Sequence, residues 1–239
     1  MNKIFYDLHI HSCLSPCGEM DMTPFNIAGM AKVKELDLIA LCDHNTCKNC
    51  GAFLKACDNY NIIGICGMEL TTAEEIHLIC LFKSLKTAVD FSEKIEKHRM
   101  KIKNKADIFG FQAIVNDKDE IVNYDEYLLP IATMLGLEEA YNLVLQHGGK
   151  CFPAHINKQS NSIISILGQI PNYPAFKAVE INDKEKISLI KKNYFNINEY
   201  TVFTNSDAHY LWDINERENY FLSKSNRKED IINTLFDLM

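Results

Sequence analysis

The chain has 239 residues, 47% of them hydrophobic and 24% charged, which excludes a disordered or collagen-like protein. A net charge of −7 offers no overall attraction to nucleic acid or an anionic membrane, so no stable nucleic-acid partner is expected. No apolar run is long enough to cross a bilayer, and Met1-Asn2-Lys3 leads into a strand-like run instead of a signal peptide, which points to the cytoplasm.

The first predicted strand carries Asp7-Leu8-His9-Ile10-His11-Ser12. Side chains repeat every second residue along a strand, so both imidazoles share a face, as two ligands of one metal must. A loop follows from Cys13 to Met22, and Thr23-Pro24 is an N-cap with proline at the first helical position, opening a helix to about Glu35. Leu38 to Cys42 reads as a buried strand ending in Asp43-His44-Asn45. A helix is expected over 49–59, a strand over 62–68 ending at Glu69, and a strand over 76–82 with His77 near its start.

The middle is less regular. Residues 85–105 look helical and basic, 107–124 carry short β-prone stretches, and helices are predicted over 119–129 and 136–147, the second closed by Gly148-Gly149. Residues 85–148 therefore read as a partly inserted cap on a single domain covering 1–239. Beyond it come a strand ending in His155, a helix over 163–169, the strand Ala178 to Asn182, a helix over 184–193, and Thr201 to Thr204 leading into Asn205-Ser206-Asp207-Ala208-His209. A short strand at 220–222 and an amphipathic helix over 227–238 close the chain. Short apolar strands alternating with helices argue for an α/β fold with a parallel sheet, and a β/α barrel fits the length.

Nine cysteines in a chain of this kind are expected as free thiols. Cys42, Cys66, Cys80 and Cys151 sit in apolar strands as small core residues. Cys13, Cys17, Cys47 and Cys50, as C-x3-C and C-x2-C, could form a four-thiolate zinc site or pair with a histidine, the alternative being two cysteine-rich loops. Residues 83–105 hold eight Lys or Arg against three acids, a solvated helix face or a surface overhanging a phosphate-rich substrate.

Six of the eight histidines fall in motifs placed mostly at strand C-terminal ends, the face on which barrel enzymes build active sites. His77, near the start of its strand, is the awkward placement. The ordered series D-L-H-x-H, D-H, G-x-E, H, A-H and S-D-A-H, from Asp7 to His209, resembles the PHP (polymerase and histidinol phosphatase) superfamily, within it the stand-alone bacterial phosphoesterases. The resemblance implies a distorted seven-stranded β/α (TIM-like) barrel with a trinuclear centre. It implies that His9, His11, Glu69 and Asp207 hold one metal, that Glu69 bridges to a second held also by His77 and His155, and that His44 and His209 hold a third. The family adds a ligand to the third ion from the loop after H-x-H; here that loop departs from the pattern, and Glu19, Asp21 and Cys17 are the candidates.

Imidazole with carboxylate suits Zn, Mn or Fe. Two to three such ions fit metal-dependent phosphoester hydrolysis of a small phosphorylated metabolite or nucleotide, in which two metals about 3.5–4 Å apart share a hydroxide and clamp phosphoryl oxygens. Glu69 sets that spacing. Asp43 either orients a ligand histidine or caps the next turn. Lys158 and Arg217 are the candidates for gripping phosphate, with the surface-charge reading beside each, and Glu180 and Asn182 could orient substrate or close a hydrogen-bond network. A metal-dependent amidohydrolase or deacylase is the alternative enzyme class, although such barrels bridge their metals with a carboxylated lysine, where this chain has Glu69. A non-catalytic PHP-like binding module is the third reading, disfavoured because nearly all ligands remain.

Overall fold

The computed structural model describes residues 1–193 and 195–239. Its first three strands are β1 (Asn2–Ile10), β2 (Leu38–Leu41) and β3 (Ile63–Thr71), joined by the crossover helices α1 (Pro24–Val33) and α2 (Cys50–Asn59). They pair in parallel, with Tyr6 opposite Leu38 and Leu38 opposite Ile63. All four residues of β2 are buried, the unbroken apolar run of a strand covered on both faces. The N-cap of α1 forms as its sequence requires: Thr23 Oγ1 accepts the Asn26 N–H and Pro24 occupies the first turn.

The strand β4 (His77–Phe82) reverses direction. It pairs antiparallel with β3, Thr71 opposite His77, and antiparallel with β7 (Lys150–Pro153), Leu78 opposite Pro153. The start of β4 therefore lies at the same end of the sheet as the finish of β1, β2, β3 and β7. That reversal is what brings His77 to the functional face.

Between β4 and β7 runs the insertion. Helix α3 (Leu85–His98) packs its apolar stripe on the sheet, the Phe91 ring 4.8 Å from Phe82. A single turn, α4 (Ala106–Phe109), then precedes a hairpin of β5 (Ala113–Val115) and β6 (Ile121–Tyr124), and α5 (Leu137–Gln146) returns the chain to β7. The helix predicted over 119–129 does not form. Asn116 Oδ1 accepts the N–H groups of Lys118 and Glu120, and Asp119 adopts a positive φ of 58°, so the segment turns back as a hairpin. The hairpin docks on the loops after β1 and β2: Ala113 N–H donates to Cys13 O, Val115 N–H to Asn49 Oδ1, and Gly110 lies so close to the Pro16 carbonyl that any side chain there would collide. Buried Arg99 clamps this excursion with a two-pronged pair to Asp125 at 2.7 and 3.1 Å.

Helix α6 (Ile163–Leu167) leads to β8 (Ala178–Glu180), and α7 (Lys184–Asn193) to β9 (Thr201–Phe203), which pairs parallel with β8. The last strand, β10 (Tyr220–Ser223), adds antiparallel to the first half of β1, and α8 (Lys228–Asp237) closes the chain.

The seven-stranded closed barrel expected from the sequence is not what the ladders form. Six strands make one curled sheet in the order β10-β1-β2-β3-β4-β7, a half-barrel, and β8-β9 is a separate two-stranded sheet. Individual hydrogen bonds tie the two together, from Ile156 N–H to Glu180 O on one side and from His11 N–H to Ala208 O on the other. Antiparallel β10 occupies the edge of β1 beside its first residues, which confines contact with the segment after β9 to the far end of β1. Alternate strand residues feed two apolar clusters. Tyr6, Leu8, Leu38, Ala40, Leu81, Phe152 and Phe203 meet α8 on one face, while Ile39, Leu41, Leu78 and Phe82 meet α1, α2, α3 and α5 on the other. Each large side chain so buried contributes about 1.5–3 kcal/mol. No helix among the described residues is long and apolar enough to cross a membrane.

Candidate metal centre

The strand ends converge on Glu69, which is 1% exposed at the end of β3. Its Oε1 lies 2.7 Å from His77 Nδ1 and 3.1 Å from His155 Nε2; its Oε2 lies 3.0 Å from His44 Nδ1 and 3.3 Å from His11 Nε2. Asp207, on the segment after β9, places Oδ1 3.3 Å from both His9 Nε2 and His11 Nε2. His209 stacks on His11 with ring centroids 4.3 Å apart. Among the described residues three overlapping donor groups gather tightly enough for an ion: His9, His11, Glu69 and Asp207; His44, Glu69 and His77; and His11, His44 and His209. His155 joins through Glu69.

Protein groups fix the outward nitrogens. His9 Nδ1 donates to Glu180, 3.0 and 3.1 Å from its two oxygens, and the same carboxylate accepts the His155 N–H. His11 Nδ1 donates to Ser15 Oγ at 2.9 Å, whose hydroxyl donates onward to Asp43 Oδ1 at 2.7 Å; Asp43 also accepts from Ser12 N–H and Ser12 Oγ–H. His209 Nδ1 donates to the Asp207 carbonyl at 2.8 Å. With Nδ1 donating in each ring, the inward Nε2 of His9 and of His11 both present lone pairs, and these two atoms lie 3.1 Å apart. Two facing lone pairs beside two carboxylates call for positive charge between them, a shared proton in the metal-free protein or a metal ion in its place. His44 Nδ1 and His155 Nδ1 are buried with no hydrogen-bond partner, although Glu69 Oε2 lies against the former. Orphaned buried donors of this kind fit metal ligation.

Electrostatics follow from burial and crowding. Burial alone would raise the Glu69 and Asp207 carboxyls, but the surrounding imidazoles hold both well below the usual carboxylate range. Against a burial that disfavours charge, Asp207 and Glu69 lift His11 to about 8, and Glu69 lifts His44 to about 9. His209, buried and facing His11, falls to about 3. Backbone strain is stored here too: His155 and Asp207 have φ of 25° and 56°, in the left-handed region costly for residues other than glycine.

Of the residues singled out in the sequence, His9, His11, His44, Glu69, His77, His155, Asp207 and His209 come together. Lys158 joins them: its Nζ pairs with Asp207 Oδ2 at the rim of a cleft of about 180 Å³ lined also by His44, Glu69, His77, His155 and His209. Asp43 lies behind the ligands, 1% exposed, and reaches His11 through Ser15. Asn182 pairs with Asn157, closing a hydrogen-bond network outside the donor groups. Arg217 does not reach the centre. It stacks on Phe5 and donates to Glu35 O at the opposite end of the sheet, because its loop runs back down to the start of β10. Glu19 and Asp21 are exposed, in none of the donor groups, and serve the turn before α1, Glu19 N–H donating to His209 O and Asp21 O accepting from Asn26. The four-thiolate site does not assemble: Cys13 faces Ala113 O, Cys47 and Cys50 face Gly67 O, and Cys17 is exposed. None of the basic residues 83–105 lines the cleft. Ser15 was passed over in the sequence because a lone serine has no spacing signature; Glu180 was visible only as a strand-end acid.

A curled α/β half-barrel with imidazoles and carboxylates gathered at one end of its strands defines a class, proteins built to hold metal ions at the sheet rim. The PHP domain profile matches residues 7–184, and the chain belongs to that family. No protein of curated function matches it. Solved structures share its fold: the lesion-specific endonuclease EndoQ from Pyrococcus furiosus (18% identity, TM-score 0.65) over 100% of this chain and 57% of that one; a protein provisionally described as a metal-dependent phosphoesterase from Bifidobacterium adolescentis (15%, 0.58) over 96% and 94%; and an amidohydrolase from Chromobacterium violaceum (17%, 0.61) over 90% and 92%. The chain thus spans little more than half the length of EndoQ. Family, fold and donor groups together support a metal-dependent hydrolase.

Proposed function

We propose that this chain is a metal-dependent phosphoesterase acting on a small phosphorylated metabolite or nucleotide. The observation that carries the reading is Glu69, whose two oxygens face different sets of imidazoles, His77 and His155 on Oε1, His44 and His11 on Oε2. A carboxylate so divided suits a bridge between two ions, Zn, Mn or Fe by donor type. Bound there, such ions would supply Lewis-acid polarisation of a phosphoryl oxygen and water made acidic near neutrality.

The chain's own residues do the rest. His9, His11, His44, His77, His155, Asp207 and His209 would hold the ions with Glu69, while Glu180 and the Ser15–Asp43 relay keep His9 and His11 presenting Nε2. Lys158, on the rim and paired only with Asp207, turns its ammonium to a phosphate oxygen when substrate enters. The strand reversal at β4 closes the cleft on the His77 side.

Purified protein should hydrolyse phosphate mono- or diesters with added Mn or Zn, and Glu69→Gln should abolish this while losing more than one bound ion per chain. Hydrolysis of N-acyl substrates with no phosphoester turnover would overturn the reading in favour of an amidohydrolase. A phosphodiester within a nucleic acid is the second reading. Tyr210 and Trp212, 50% and 79% exposed just beyond His209, offer stacking faces for a base.

A further inference from the structure

The C-x2-C of the sequence, Cys47-Lys48-Asn49-Cys50, is in none of the donor groups, yet the fold brings its two thiols together. The Cys50 N–H donates to Cys47 O at 3.0 Å, closing a four-residue turn at the start of α2. Such a turn holds its end Cα atoms within about 7 Å, and a disulfide spans about 4.4–6.8 Å between Cα atoms. Both side chains point the same way: Cys47 Sγ lies 3.3 Å and Cys50 Sγ 3.7 Å from one carbonyl oxygen, that of Gly67. The two thiols are not equivalent. Cys50 is the first residue of α2, where free N–H groups and the helix dipole favour an anion. No side chain caps that end, because the N-cap Asn49 turns its amide nitrogen to Ser12 and Ala113 and its oxygen to the Val115 N–H. The neighbouring Cys47 thiol draws the Cys50 thiol below its ordinary range, while Cys50 and burial push Cys47 above it. A second close pair, Cys80 opposite Cys151 on β4 and β7, lies within the ladder, and burial pushes the Cys80 thiol up.

We propose that Cys47 and Cys50 are a peroxide-reactive dithiol, converted to an internal disulfide by hydrogen peroxide. The Cys50 thiolate attacks one peroxide oxygen, the O–O bond breaks, and hydroxide leaves behind a sulfenic acid on Cys50. Cys47 then attacks the Cys50 sulfur and displaces its hydroxyl, forming the S–S bond. The protons of both thiols end in water. Two thiols and one hydrogen peroxide thus give one disulfide and two molecules of water, the sulfurs losing two electrons and the peroxide gaining them. Burial selects the oxidant: at 2% and 1% exposed, Cys47 and Cys50 are closed to glutathione disulfide and to protein thiols, whereas hydrogen peroxide is little larger than water. The pair stands behind the metal centre, Cys47 three residues after His44 and Gly67 two before Glu69, and the inference does not depend on the reaction proposed above.

The test is mass spectrometry of chelated full-length protein treated with hydrogen peroxide, then denatured in N-ethylmaleimide and digested with trypsin. Cleavage after Lys48 separates the two thiols, so the bond appears as peptide 49–55 joined to peptide 35–48, and dithiothreitol parts them. The joined species should exceed every other cysteine link by at least about tenfold. Cys47→Ser should abolish it and leave a Cys50 sulfenic acid that dimedone traps, and Cys50→Ser should abolish both. Glutathione disulfide at the same concentration should give at least about tenfold less of the link, and an equal yield would overturn peroxide as the oxidant. Peptide 49–55 recovered fully alkylated from peroxide-treated wild type would overturn the pair itself, whether or not the variants fold. So would a link that survives Cys47→Ser, which makes Cys42 the partner, or a link from 49–55 to 56–83, which carries Cys57, Cys66 and Cys80. A predominant link between 56–83 and 151–158 would move the reactivity to Cys80 and Cys151 and overturn it equally.

Discussion

Glu180 touches His9 and the backbone of His155 but none of the other donors, so its contribution passes through the two histidines it holds. Replacing it with glutamine keeps the shape and removes the charge that fixes the His9 Nδ1–H. Partners of this kind typically change metal affinity by about 10–100-fold. Glu180→Gln should therefore weaken binding within that range, measured by competition with a chromophoric chelator, with the melting temperature of the metal-free protein barely moved. Unchanged affinity would mean that His9 is oriented by packing alone. The titration of His11 and His44 makes a second prediction. Both are raised in the metal-free protein, to about 8 and about 9, so the stability they contribute is present below the unfolded value near 6.5 and is lost as pH rises through 8 to 9. Metal must displace those same protons. The gap in melting temperature between zinc-loaded and chelated protein should consequently widen from pH 6.5 to pH 9. A gap that narrows over that interval would contradict the assignment of either ring as a ligand.

The elements explain what a reader of the sequence could and could not see. β1, β2, β3, β7 and the helices between them announced themselves by apolar runs and caps, and five of the eight ligand residues followed at their ends. His77 looked misplaced only because β4 was taken as parallel; strand direction depends on pairing partners, which periodicity does not encode. The hairpin β5–β6 was half visible, its stretch reading as β-prone over 107–124 while the helix expected over 119–129 overlapped its second strand. The second strand is exposed along its length and its direction is set by the Asn116 turn, so neither burial nor alternation distinguished it from a short helix. Arg99 was counted there among surface cations, yet it is buried against Asp125, a carboxyl that burial would raise and that Arg99 and Lys48 hold below its usual value. Removing Asp125 leaves the guanidinium buried and uncompensated, a change that costs about 3–5 kcal/mol. Asp125→Ala should lower the unfolding midpoint accordingly and expose the 99–135 backbone to hydrogen exchange before the strands. Exchange spread evenly over the chain would argue that the excursion and sheet unfold as one.

At the scale of the whole molecule, the donors come from β1, the loop after β2, the ends of β3 and β7, the start of β4 and the segment after β9. The sheet does not close by backbone pairing: between β7 and β8, and between β1 and the segment after β9, only scattered hydrogen bonds cross. Ions held by Glu69, His155 and Asp207 would span both gaps, joining the two sheets where the ladders do not. The fold without them must also keep five buried imidazoles and two carboxylates crowded at one point, His9, His11, His44, His77 and His155 with Glu69 and Asp207. Metal binding would then supply a large share of folding stability. Each ion at free concentrations about 100-fold above its dissociation constant adds about 2.7 kcal/mol. A chain of this size gains roughly 2–4 °C per kcal/mol, so each ion should raise the melting temperature by roughly 5–11 °C. Calorimetry of chelated protein refilled stepwise with zinc measures this directly, and hydrogen exchange locates it: protection should rise most in β8, β9 and 204–209, the elements the six-stranded ladder does not hold. If chelated and zinc-loaded protein melt together, the gaps are bridged by side-chain packing and the ions serve chemistry alone.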